Sequence, residues 1–168
     1  MDWDITELKV ADIHSFWVLF KELLESEFPG YSKNIVRYFL QQIYSESTFT
    51  LYLQTKQKMI LVAKHADEIA GFAVIDQPYG GVSLCRWLGV KQKYQKQGIG
   101  KKLIEKWLQI AQQEGCHKAE VASQHAAKDF YEKAGLTLEG KRLKSYFGID
   151  QYIFGIVLGP VNEQTLTQ

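Results

Sequence analysis

The sequence predicts one mixed α/β (α+β) domain, a central sheet flanked by helices. Three observations carry that expectation. Short runs of strand-like apolar residues recur after residue 58. Two segments before them, and two among them, hold apolar residues at helical spacing. Glycine-centred turns separate the runs, and no repeat, linker or low-complexity stretch breaks the 168 residues. One domain over residues 1–168 suits that length, with a loose tail after Pro160.

The elements follow in order. Residues 3–8 alternate weakly and read as a first strand. Asp12 falls in the first turn of a helix running to about Ser26, where an acid suits the helix dipole. Its stripe is Ile13, Phe16, Trp17, Phe20, Leu23 and Leu24. "FPGY" breaks it. Residues 35–44 resume a helical period, and a short mixed segment follows. "MILVAKHADEIAGFAVI" reads as two strands joined at residues 65–67. "GVSLCRWLGV" is a third strand after the "PYGG" turn. A helix spans residues 98–114, with Ile99, Leu103, Trp107, Ile110 and Ala111 as its buried stripe and Gly115 as its stop. "KAEVAS" is a short buried strand. "AAKDFYEKAGL" is a short helix with Ala127, Phe130, Tyr131 and Ala134 on one face, and Gly135 ends it. Residues 136–146 and 150–158 form the last two strands around a turn at Gly148.

Composition narrows the function classes. Apolar residues make up 46% of the chain, enough for a sizeable core. Lysine and arginine total 20 against 19 acids. That balance excludes a nucleic-acid coat and a polybasic membrane anchor as partners of choice. Cys85 and Cys116 are the only cysteines. Neither lies in a metal-ligand spacing, so no structural metal is expected. A reduced, cytoplasmic protein is the expectation, with one disulfide as the alternative. "MDWDIT" has acids where a signal peptide has a basic n-region. "YIFGIVLGPV" is about half of the ~20 residues a membrane span needs.

The stretch "QKQGIGKK", from Gln95 to Lys102, carries the chemistry. It sits between a strand and a helix, where unpartnered backbone N–H groups and the dipole favour a phosphate. Gly98 and Gly100 let that backbone come close to a ligand. A Walker loop, GxxxxGK followed by Ser or Thr, fails at Gln95 and Lys102. A dinucleotide GxGxxG fails at Leu103 and would sit in the wrong place in the fold. The pattern Q/R-x-x-G-x-G fits in full over Gln95, Lys96, Gln97, Gly98, Ile99 and Gly100. A plain left-handed turn before a helix is the competing reading of the glycines alone.

"LGVKQKYQKQGIGKKLIEKWL" followed by "SQHAAKDFYEKAGL" resembles the GCN5-related N-acetyltransferase (GNAT) family. That family holds the acetyl-CoA pyrophosphate on a Q/R-x-x-G-x-G/A turn. It follows the turn with an N-x-x-A-x-x-x-Y helix, matched here by Ala127, Tyr131, Lys133, Gly135 and Leu136. Gln124 stands in place of the usual asparagine. The resemblance covers nearly the whole chain. It implies a mixed, mostly antiparallel sheet splayed at its central strands, and acetyl-CoA as co-substrate.

The resemblance also implies roles. Leu88, Gly89 and Val90, at the end of the third strand, would lie along the pantetheine arm, and the N–H of Gly89 or Val90 would polarise the thioester carbonyl. Gln95, Lys96, Gln97, Gly98, Ile99, Gly100 and Lys101 would hold the pyrophosphate, with Lys93 adding charge, and Gln124 and Ala127 would complete the cofactor contacts. Tyr131 would act as acid toward the leaving thiolate. A phenol near pKa ~10 can donate to a thiolate near ~8.5 at little cost. Tyr131 as plain helix packing is the competing reading. Tyr31, Tyr146 and Phe147 would contact the acceptor, with Phe28 and Tyr38 as further aromatic candidates; each of these could equally be core.

No carboxylate lies on the "GVSLCRWLGV" strand, where many relatives carry a base; Cys85, Arg86 and Trp87 stand there instead. Asp76, Glu120 and His125 are the nearby alternatives, and a surface histidine is the plainer reading of His125. At pH 7 a lysine-like amine is neutral about once in 2,500 molecules, an α-amine near pKa ~8 about one time in ten. A site without a dedicated base suits the second. The expected activity is acetyl transfer from acetyl-CoA to a small-molecule amine or a peptide N-terminus, by a monomer or homodimer. A non-enzymatic acyl-CoA-binding module is the alternative, and a nucleic-acid binder built on the lysines is a remote third.

Overall fold

The computed structural model describes residues 2–28 and 30–166. Seven strands form one sheet in the order β1-β2-β3-β4-β5-β7-β6. They are β1 (Asp4–Glu7), β2 (Lys58–His65), β3 (Glu68–Asp76), β4 (Val82–Val90), β5 (Lys118–Ser123), β6 (Thr137–Arg142) and β7 (Gln151–Val157). β4 and β5 run parallel; every other neighbouring pair is antiparallel. The helix between those two strands is the crossover that a parallel pair requires.

One face of the sheet is covered by α1 (Ile13–Ser26), α2 (Lys33–Tyr38) and α3 (Glu46–Gln54). The stripe read from the sequence is the buried one: Ile13, Phe16, Phe20, Leu23 and Leu24 face the sheet, while Trp17 is half-buried beside them. Phe16, Phe20, Phe49 and Phe72 interlock edge to face or tilted, with centroids 5.0–6.0 Å apart, the geometry that ring quadrupoles favour. The other face is covered by α4 (Ile99–Gln113) and α5 (Lys128–Lys133). The buried Trp107 indole there donates to Ser83 Oγ at 2.9 Å, so these two polar groups satisfy each other.

Three local features depart from the sequence reading. The mixed segment after residue 44 is a helix, α3, capped by Ser45, whose Oγ accepts from the Thr48 N–H. The 35–44 helix begins at Lys33 and ends in a π-helical turn over Phe39–Ile43. The strand expected over 136–146 stops at Arg142; a short 3₁₀ turn, Tyr146–Gly148, follows. Beyond Pro160 the described residues include one helical turn, α6 (Glu163–Leu166). Among the described residues, no helix is long and apolar enough to cross a membrane. Cys85 and Cys116 are buried free thiols.

Candidate active site

β4 and β5 pair only from Val82↔Lys118 to Cys85↔Val121. Beyond that they diverge: β4 continues to Val90 on β3 alone, and β5 continues to Ser123 on β7 alone. Arg86 sits at the point of divergence, as the extra residue of a bulge in the β3–β4 ladder between Val74↔Trp87 and Ile75↔Cys85. The edge of β4 is therefore open from Arg86 onward.

Which backbone groups face that opening follows from strand alternation. The Lys91 N–H bonds to the Ala70 carbonyl, on the β3 side. Gly89 and Trp87, two and four residues back, face the same way. Leu88 and Val90 then turn their N–H groups to the open side. Val90 agrees, since its carbonyl accepts from Gln95 Nε2 at 3.0 Å across the gap. Of the two sequence candidates for a carbonyl-polarising N–H, alternation retains Val90, adds Leu88 and assigns the Gly89 N–H to the ladder.

A groove of about 510 Å³ runs from this opening to the start of α4. Its walls include Leu88, Gly89, Val90, Gln95, Lys96, Gly98, Ile99, Gly100, Lys101, Ala127 and Tyr131. At its far end Gly98 has φ +82, and a Cβ there would meet nothing within 4 Å. Glycine is the residue that takes this left-handed turn without strain. The first intrahelical donor is the Lys102 N–H, bonded to the Gly98 carbonyl at 3.0 Å, and no side chain caps the start of α4. The N–H groups of Ile99, Gly100 and Lys101 thus lack intrahelical partners at a positive helix end. This fits a pyrophosphate: open space, free donors and Lys96 and Lys101 on the wall.

Two of the expected cofactor residues lie elsewhere. Gln97 Nε2 donates to the Lys93 carbonyl at 3.2 Å, inside the turn, and Gln97 does not line the groove. Gln124 lines the neighbouring cavity instead. Lys93 is held by Glu68 at 2.9 Å, with Tyr94 on the other carboxylate oxygen at 2.8 Å.

That neighbouring cavity, about 270 Å³, occupies the split itself. It shares Glu27, Phe28, Leu88, Ala126, Ala127 and Tyr131 with the groove, so these residues mark the junction. Tyr31, Tyr146 and Phe147, the expected acceptor contacts, all line it, as does Phe28; Tyr38 does not. Phe147 takes φ 58 and sets its ring edge-on to Phe39 at 4.6 Å. The β6–β7 hairpin tip thereby reaches back across the cleft.

Tyr131 is buried at the junction, stacked on Phe154 at 5.6 Å. Burial, and secondarily the neighbouring Cys85, holds its phenol well above the ordinary range. It therefore keeps its proton at any physiological pH. Cys85 lines the cavity, and burial pushes its thiol up to about 12. It stays a thiol, which removes it as a nucleophile. Burial likewise raises Tyr31 to about 12 and raises Tyr44.

The three nearby candidates for a base separate. Asp76 is committed to Lys58 and Arg86. His125 is exposed, packs on Tyr152 at 5.4 Å and lines neither the groove nor the cavity. Glu120 lines the cavity and pairs with Lys118 at 2.9 Å. Glu27, which the sequence reading passed over, stands at the junction and accepts from Gln95 Nε2 at 3.2 Å. Only its place in the acidic end of the first helix, "KELLESE", hinted at it.

A model of the acetyltransferase (GNAT) family matches residues 9–136. Among solved structures, the chain is similar to the PaiA N-acetyltransferase of Thermoplasma acidophilum in complex with coenzyme A: TM-score 0.78, 18% identity, over 94% of this chain and 99% of that one. It is similar to yncA, a putative acetyltransferase of Salmonella typhimurium with its cofactor acetyl-CoA: TM-score 0.73, 15% identity, over 96% and 97%. It is also similar to the ribosomal-protein-S18-alanine N-acetyltransferase of Escherichia coli: TM-score 0.69, 18% identity, over 96% and 97%. A sequence comparison with curated proteins gives no match. The family match spans most of the chain and takes in the split strands and the glycine turn: this chain belongs to the GNAT acetyltransferase family.

Proposed function

We propose that this protein transfers an acetyl group from acetyl-CoA to the nitrogen of a small primary amine, by direct attack and without an acyl-enzyme. The observation that carries the reading is the junction. A groove that ends in an uncapped helix start meets an aromatic cavity where β4 and β5 separate, and Tyr131 stands between them. Acetyl-CoA supplies the activated acyl group when it is bound.

Each group of the chain then has a task. The N–H groups of Ile99, Gly100 and Lys101, with Lys96 and Lys101, hold the pyrophosphate. The open-side N–H groups of Leu88 and Val90 align the pantetheine arm and polarise the thioester carbonyl. The acceptor nitrogen enters neutral and forms the C–N bond as the C–S bond breaks. Tyr131 Oη donates to the departing sulfur. Its raised pKa means that the proton is always present but weakly acidic. Its main contribution is a hydrogen bond to the developing thiolate, with full transfer late. Glu27 at the junction takes the proton shed by the new amide nitrogen and passes it to solvent. The high pKa of Cys85 supports direct transfer, since a neutral thiol does not take the acetyl group first.

A cavity of about 270 Å³ beneath the hairpin tip favours a small molecule over a peptide end. Steady-state assay of free CoA thiol with a panel of amines tests the reading. Amine-dependent thiol release at catalytic enzyme concentration is the expected result. Tight acetyl-CoA binding with no release from any amine would make the protein an acyl-CoA-binding module instead.

A further inference from the structure

The cavity in the split carries a charge that acetyl transfer does not use. Arg86 leaves the β4 bulge and meets Asp76: Nε lies 2.9 Å from Oδ2, and Nη2 also bonds that oxygen. Lys58 takes Oδ1 of the same carboxylate. Two cations share one anion, so the trio keeps a net charge of +1. Arg86 is the member that lines the cavity; neither Lys58 nor Asp76 does. Both of its bonds to Asp76 use one edge of the guanidinium, which leaves the Nη1 edge for a ligand.

The surroundings fit an anion: of the two carboxylates on the lining, Glu120 is paired with Lys118 and Glu27 stands at the junction with the groove. Arg142, on the opposite rim, lines the same cavity, and among the described residues no carboxylate lies within 4 Å of it. On the same lining, Ser123 Oγ and Gln124 Nε2 are buried without a hydrogen bond of good geometry, although the Tyr31 phenol lies near the Gln124 amide. Ser123 is 5% exposed. Buried donors left unpaired are costly unless a ligand meets them. Both can donate to a carboxylate oxygen. Trp87 and Tyr44 supply apolar walls beside Arg86.

Direction follows from the junction. The reacting nitrogen must sit where groove and cavity meet, beside Leu88 and Glu27. Arg86, partly exposed, lies two residues back along β4, about 7 Å away. We propose that the acceptor is an amino acid-like molecule, a primary amine carrying a carboxylate, whose carboxylate is held by Arg86 at the end of the cavity away from the groove while its nitrogen faces the thioester. The inference rests on the acetyltransferase reading above.

The test compares matched pairs of amines that differ only in carboxylate against carboxamide. Wild type and Arg86→Gln are each assayed with every pair for kcat/KM by CoA thiol release. Taking the ratio of ratios cancels the different amine pKa values within a pair. The expected preference for the carboxylate is roughly tenfold or more in wild type, as for a hydrogen bond to a charged group, and falls towards one in Arg86→Gln. Asp76 keeps Lys58 as a partner in that variant, so the fold has no new unpaired charge. Wild type alone gives a second reading: N-acetylated products with a free carboxylate should inhibit competitively against the acceptor, and their carboxamides should not. Equal efficiency within the pairs, or an unchanged ratio in Arg86→Gln, overturns this inference while leaving acetyl transfer intact. Absence of thiol release from every amine overturns the transferase reading and this inference with it.

Discussion

Gln124, the first residue beyond β5, accepts a hydrogen bond at 3.3 Å from the backbone N–H of Gly30, in the loop between α1 and α2. It ties the two banks of the cleft together. A Cβ on Gly30 would sit 3.0 Å from Gln124 Oε1, tighter than ordinary contact. An asparagine at position 124 would be one methylene short of this reach. Gln124→Ala is expected to cost at most about 1 kcal/mol of stability, since the bond is exposed and neutral. It should raise the acceptor KM several-fold and leave acetyl-CoA affinity within twofold. Calorimetry with acetyl-CoA and steady-state kinetics separate the two. A larger loss on the acetyl-CoA side would return Gln124 to the cofactor contacts.

Gly98 should be needed for its backbone. Its φ of +82 costs a residue with a side chain ~1–2 kcal/mol, so Gly98→Ala should lower stability by about that much. Acetyl-CoA affinity should fall further, by tenfold or more. No protein atom stands within 4 Å of the added methyl, so that excess comes from the ligand's own space. If stability drops and affinity does not, the open space belongs to no ligand.

Tyr131→Phe keeps the stacking on Phe154 and removes the donor. Turnover is expected to fall ~10²-fold, with acetyl-CoA affinity held. The pH profile carries a second signature. Because the phenol is raised, its ionisation should produce no descending limb up to pH 10. The ascending limb should instead follow the acceptor's own pKa from amine to amine. An inflection fixed near one pH for all amines would assign the proton to an enzyme base, Glu27 first.

Alkaline stability follows from burial. Cys85 rises from 9.0 to about 12, and Tyr31 from 10.0 to about 12. In that window the unfolded chain has shed protons that the folded chain retains, so unfolding is favoured as pH rises. Stability from these groups is complete below pH 9 and is lost progressively towards pH 12. The urea midpoint should therefore fall from pH 9 upward, and Cys85→Ala should flatten the first part of that fall. A midpoint constant to pH 11 would contradict the burial argument.

The sequence was informative where one element carries its own signal. The stripe of α1 and the boundaries of β5 could be read from period alone. The glycine turn could be read from Gly98 and Gly100 against the strand before them. Helix α3 was missed because "ESTFTLYLQ" buries only Phe49 fully and is rich in residues of middling helix propensity; the Ser45 cap was the readable sign. Pairings between distant residues were out of reach. The Arg86–Asp76–Lys58 trio joins three strands, and nothing in "LCRWL" announces that Arg86 occupies a bulge. Glu27 belongs to the junction only because Gln95, 68 positions on, folds back to it.

The hairpin tip should act on the acceptor. Tyr146 is 65% exposed and lines the cavity, so its removal leaves no core void. Tyr146→Ala is expected to raise the acceptor KM at least threefold, with the KM for acetyl-CoA unchanged. Equal shifts in both would make the tip a general cover for the cleft.

The central claim is direct acetyl transfer at the junction of groove and cavity. Its sharpest test is the rate of CoA thiol release from acetyl-CoA, measured while acetyl-CoA and a carboxylate-bearing amine are varied together, alongside mass spectrometry of the enzyme held with acetyl-CoA alone. Intersecting, sequential kinetics and an enzyme of unchanged mass are the expected result. Parallel lines with an enzyme heavier by one acetyl group at Cys85 would contradict it.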